Sequence, residues 1–131
     1  MENEPLVTPD MVEERLEQFA LEVLRLTRPM LYESEGRDSA MQLRRAATGA
    51  VSNYGAARVA RSHADFTSKM GVALEEADES RRWLRLVRAA GLLKDQSLEQ
   101  LIAEAGELRA ILSSSHLTAK QNRDKYRRRG R

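Results

Sequence analysis

The longest apolar stripe in the chain decides its class. Phe66, Met70, Ala73, Leu74, Ala77, Leu84 and Val87 recur at spacings of three and four. That period lays them along one side of an α-helix, whereas a strand would alternate sides. Ser62-His63-Ala64-Asp65 marks the start: a Ser followed three residues on by an acid satisfies free N–H groups and suits the positive end of the helix dipole. Ala90-Gly91 marks the end, because Gly takes the left-handed cap conformation without a Cβ penalty. The pattern predicts a helix of about 27 residues, roughly 40 Å long.

Just before it, Leu43, Ala47, Ala50, Val51 and Tyr54 form a second helical stripe. Small residues crowd around it (Ala46, Gly49, Ala56, Ala57 and Ala60), which predicts a helix packed on more than one side. Gly71 in the longer helix costs about 1 kcal/mol relative to Ala, and close approach of a neighbour is a reason to accept it. Asn53, on the seam of this hairpin, is expected to fix register through a buried hydrogen bond.

Two more helices complete the pattern. Thr8-Pro9-Asp10 is a capped start with Pro in the first turn. Val12, Leu16, Phe19, Ala20, Val23 and Leu26 follow as one stripe, and Pro29 closes it. A polar connection covers 30–37, and Asp38 or Ser39 is placed to cap the second helix. Asp95 or Ser97 caps the fourth, whose stripe is Leu98, Leu101, Ile102, Ala105, Leu108 and Leu112, with Leu117 as an extension. Short connections favour antiparallel neighbours. The expected fold is all-α, an antiparallel up-down four-helix bundle over 9–119, preceded by a flexible N-terminus (1–8) and followed by a basic tail (120–131).

The absence of cysteine excludes disulfides and thiolate metal sites. No apolar run approaches the ~20 residues of a membrane span. The acidic start Met1-Glu2-Asn3-Glu4 has no signal-peptide pattern, so a cytoplasmic protein with no membrane partner is expected. Charge is unevenly spread. Lys120, Arg123, Lys125, Arg127, Arg128, Arg129 and Arg131 face one acid, Asp124, so the formal +2 of the chain splits into +6 here and −4 elsewhere.

Catalytic patterns are missing. His63 and His116 belong to no His pair at helical spacing and no Glu-x-x-His element, which argues against a di-metal carboxylate bundle. No metal, no cofactor and no enzymatic activity is expected. The acidic run Glu75, Glu76, Asp78 and Glu79 has the residue types for acid–base work. A structural ion-pair network is the better reading, with Asp78 meeting Arg82 and Glu75 reaching Arg44, Arg45 or Arg61 of another helix. Arg44, Arg45, Asn53, Arg61, Glu75, Asp78 and Glu79 are therefore candidates for a structural polar network. Trp83 is either core or a subunit contact, since Trp is enriched at interface hot spots. Arg81, Arg85 and Arg88 form a basic stripe. With Lys120, Arg123, Lys125, Arg127, Arg128 and Arg129 they are the candidates for contacting phosphates, which needs charge but no base readout.

The ordered pieces Gln42-Leu43-Arg44-Arg45-Ala46, Ser52-Asn53-Tyr54, Ala60-Arg61-Ser62, Asp65-Phe66, Ala73 through Ser80, Trp83-Leu84, Gly91-Leu92-Leu93, Glu104-Ala105, Glu107-Leu108 and Thr118-Ala119-Lys120 resemble a bacterial family. These are the small four-helix-bundle proteins named after reading frames in intervening sequences of 23S ribosomal RNA genes. The resemblance implies an up-down bundle and ring-shaped homo-oligomers, often pentamers, without an agreed activity. A related branch acts as accessory protein to a reverse transcriptase in diversity-generating retroelements, where a basic surface binds nucleic acid and the enzyme. Ala56 departs from the family pattern, which commonly has Glu there, and so does Arg82, where an aromatic is common. The expected function is a non-enzymatic scaffold that self-assembles into a ring and engages a protein partner. The alternative is an accessory protein binding RNA or DNA through its basic tail and helix-face arginines.

Overall fold

A computed structural model of the chain describes residues 7–129, with the side chains of 123 and 126–129 outside that description. Four α-helices follow in order: α1 (Pro9–Thr27), α2 (Arg37–Arg58), α3 (His63–Ala89) and α4 (Gln96–Arg129). A short 3-10 helix, Arg28–Tyr32, joins the first two. Successive helices are antiparallel neighbours around one core. The closest packing is between α2 and α3, and the thinnest seam joins α1 to α4.

The local signals explain most helix ends. Thr8 caps α1, its hydroxyl accepting from the Met11 N–H at 3.2 Å. Ser62 does the same for α3, accepting from the Asp65 N–H at 3.0 Å. Gly91 follows α3 with φ +69°, the left-handed conformation foreseen for it. Asp95 receives both the Ser97 N–H and the Ser97 hydroxyl, and these bonds hold its carboxyl below the usual range. The start of α2 differs from expectation. It begins at Arg37, with neither Asp38 nor Ser39 as its cap. The 3-10 turn carries the chain into it, so Gly36 occupies the cap position without a side-chain bond.

Every α1 stripe residue is buried, as are Leu43, Ala47, Ala50 and Tyr54 of α2. Met70, Ala73, Ala77, Leu84 and Val87 bury the face of α3, and Leu98, Leu101, Ala105, Leu108 and Leu112 that of α4. Phe66, Leu74, Val51 and Ile102 lean on this core from its edge. A smaller cluster of Met30, Ala40 and Val87 seals the end under the 3-10 turn. Leu117 is the exception among the expected stripes: it is 57% exposed. Ala119 is buried instead: seven residues after Leu112 it stays in phase with the α4 stripe, whereas Leu117, five residues on, is turned about 140° away from it.

The basic segment after 119 continues α4 as helix, one of the two forms its lack of an apolar stripe allows. The helix runs unbroken to Arg129. At 34 residues it is about 50 Å long against roughly 40 Å for α3.

Candidate interaction surfaces

The α2–α3 seam carries the polar network: the expected Asp78–Arg82 pair forms, and the other partners differ from those expected. Arg45 donates to Glu79 Oε1 at 3.1 Å and to Gln42 Oε1 at 3.2 Å. The Trp83 indole N–H donates to the same Glu79 oxygen at 3.3 Å. Asp78 meets Arg82, one turn on, at 3.4 Å and Arg109 of α4 at 3.6 Å. Arg44 pairs with no acid among the described residues. Its Nη1 donates to the Leu24 carbonyl at 2.8 Å and the Thr27 hydroxyl at 3.0 Å, tying α2 to the end of α1. Glu75 and Arg61 are exposed and form no ion pair among the described residues, so the expected link between them is absent there. Asn53 does not fix register: its amide donates to the Gly49 carbonyl of its own helix at 2.9 Å.

Glu76 is the polar residue the sequence reading undervalued. Its carboxylate lies against Gly49 of α2, where an added Cβ would come within 3.2 Å of Glu76 Cδ. Its Oε2 is buried and accepts no hydrogen bond. Burial first, then the nearby Glu79 charge, pushes its pKa up, and Arg45 only partly opposes this. The signal was the lone Gly49 opposite an acidic run, but matching them needs the register between two helices.

Two further networks hold α1. Arg15 bridges to Glu104 and Glu107 across the thin α1–α4 seam. Arg58 bridges Asp10 and Glu13, tying the end of α2 to the start of α1.

The basic stripe on α3 is only partly available. Arg88 is paired with Glu99 at 3.0 Å. Arg81 lies across Gly106 of α4, where a methyl would come 3.6 Å from its Nε. Arg85 is exposed with no partner among the described residues. Lys120 and Lys125 are exposed on the last turns of α4. Arg123, Arg127, Arg128 and Arg129 ride on the same helix, and their side chains lie outside the described residues.

Several large apolar side chains are exposed among the described residues, Tyr32, Met41 and Val59 among them, and two further features combine exposure with a neighbouring apolar surface. A groove of about 390 Å³ runs between α1 and α2, floored by Ala20, Leu24 and Val51 and flanked by Glu17, Leu21 and Ser52. Leu21 is 56% exposed at its edge. On α3, Leu86 is 52% exposed. Trp83, three residues earlier, is half-buried against the core, which places it between the two roles foreseen for it.

Residues 11–114 match the family model described as 23S rRNA-intervening sequence protein. The chain belongs to this family. Among solved structures, it is similar to a protein of unknown function from the S23 ribosomal protein family of Bacteroides thetaiotaomicron. That likeness has a TM-score of 0.76 at 26% sequence identity and covers 82% of this chain and 96% of the other. No curated protein matches the chain. The family match takes in all four helices but ends within α4, before its basic last turns. Among the described residues no group of His, Asp and Glu is arranged to hold a metal ion, and no helix is long and apolar enough to cross a membrane.

Proposed function

We propose that this bundle is a non-enzymatic interaction protein that assembles with copies of itself into a ring and presents that ring to a partner. The observation that carries the reading is the pair of exposed apolar features on different faces. A ring requires two unlike patches, one from each subunit, whereas a symmetric dimer uses one patch twice. The α1–α2 groove with Leu21 is one patch, and the Trp83–Leu86 turn of α3 is the other. The pentamer implied by the family resemblance is the expected ring size.

Size-exclusion chromatography with light scattering tests this. The wild-type chain runs as a closed oligomer at micromolar concentration. Leu21→Glu and Leu86→Glu each run as monomers, since a charge in a desolvated contact costs several kcal/mol. Mixing the two variants restores one sound contact and yields a dimer. A monomeric wild-type protein ends the reading. A mixture that stays monomeric removes the two-patch assignment.

A second reading is favoured by the continuous helix beyond Ala119: nucleic-acid binding, as in an accessory protein to a nucleic-acid enzyme such as a reverse transcriptase. An arm of lysines and arginines held on a helix neutralises phosphates without reading sequence. Removing residues 121–131 lowers affinity for RNA and DNA and flattens its dependence on salt, by a slope of about 0.7–0.9 per lost phosphate contact. Salt-independent binding, or binding untouched by the truncation, excludes this role for the arm.

A further inference from the structure

Where α4 leaves the bundle, the start of α3 and the side of α4 enclose an open cleft of about 350 Å³. That falls at the low end of the ~300–1,000 Å³ typical of small-ligand sites. His63 and Phe66 line one wall, their rings stacked with centroids 6.5 Å apart and planes 25° from parallel. Ser114, Ser115, Thr118 and Asn122 line the other. The His63 Nε2 is held by the Ala119 carbonyl at 2.8 Å, which pins the ring and ties the base of the arm to α3.

The chemistry of the two walls is specific in kind. One offers an aromatic pair to a flat ligand. The other offers hydroxyls and an amide, which both donate and accept but carry no charge. Charge is concentrated in the flanking sequence. The segments 61–69 and 118–125 contain Arg61, Lys69, Lys120, Arg123 and Lys125 against Asp65 and Asp124. A planar, polar, uncharged group attached to a phosphate chain matches this arrangement.

We infer that the cleft receives an unstacked nucleobase of a single-stranded nucleic acid whose phosphates run along the basic turns of α4. This rests on the nucleic-acid reading above and narrows it. Duplexes keep their bases stacked and paired and so cannot fill the cleft. A single strand offers free bases to aromatic faces, an interaction tolerant of base identity.

Fluorescence anisotropy with the full chain and a short labelled oligonucleotide decides it, using RNA and DNA single strands and the matching duplex. Phe66→Leu keeps apolar volume where Phe66 leans on the core but removes the aromatic face. His63→Ala removes the other ring. Asn122→Ala lies at an exposed position and serves where either of these perturbs folding. Phe66→Leu and His63→Ala are each expected to weaken single-strand binding roughly five- to tenfold, in line with the loss of one base–aromatic stack, and Asn122→Ala, which loses a hydrogen bond to the base edge, roughly threefold. Duplex affinity and the salt slope stay unchanged. A strand of the same charge lacking bases binds the wild-type chain as weakly as the ordinary strand binds Phe66→Leu. Equal effects on single strand and duplex, or no effect on either, overturn the cleft while leaving the basic arm standing. No binding of any nucleic acid overturns both.

Discussion

Leu43→Ala should destabilise the bundle by about 3 kcal/mol, within the 2–5 kcal/mol typical of a buried leucine truncation. Leu43 has no exposed surface, and it lies in the main core on the helix that packs against both α1 and α3. The loss has two parts, the transfer energy of the removed atoms and the void they leave. Collapse of the void is hindered here. On its own helix the buried neighbours are Ala40, Ala46, Ala47 and Ala50, whose single methyl groups cannot extend into vacated space. Leu117→Ala is the control. Its side chain is mostly exposed, so the change should stay within about 0.5 kcal/mol. Urea unfolding followed by circular dichroism measures both, with the slope unchanged if only stability has moved. A cost for Leu43→Ala below 1 kcal/mol would mean that α2 is not the centre of the core.

The second large effect runs the other way. Glu76→Gln should stabilise the protein at neutral pH by about 1 kcal/mol, or roughly 4 °C in Tm. The wild-type carboxylate sits against Gly49 with a buried, unpartnered oxygen. Burial, then Glu79, raises its pKa in the folded state, while the unfolded chain keeps an ordinary value. Between those two values the folded protein holds the proton more often than the unfolded one. Stability therefore falls as pH rises through that window, and above it the penalty is fully present. The expected gain is kept small, since Glu76 is only half-buried and Gln still places a polar atom there: what is removed is the buried charge and its repulsion by Glu79. Gln keeps the shape and removes the charge. The difference in Tm between the two proteins should thus shrink as pH drops through the carboxylate range. A variant less stable than wild type at neutral pH would show that Glu76 gains more from Arg45 than it loses to burial.

These two residues mark how far sequence reasoning reached. Leu43 was legible: a stripe at helical spacing points its leucines inward whatever the neighbouring helices do. Glu76 was visible only as one member of an acidic run. Its distinction from Glu75 is a rotation of 100° about the helix axis, which turns one side chain into the α2 seam and leaves the other in water. The surfaces divide in the same way. The charge of the final segment could be counted along the chain, but not the cleft at its base. His63 and Asn122 are separated by nearly half the chain, and no local pattern joins them.

Periodicity, caps and punctuation are properties of a few consecutive residues, so the four helices, most of their ends and the inward faces followed from residue order alone. Contacts across a seam depend on how far one helix has slid and turned against the next, a quantity set by packing the whole core at once. That is why Arg44 ends on the Leu24 carbonyl and Asn53 on its own helix. It is also why Glu76 lies over Gly49 and why His63 holds the base of the arm. In each case the side chain's chemistry was written in the chain, and its partner was chosen by the bundle.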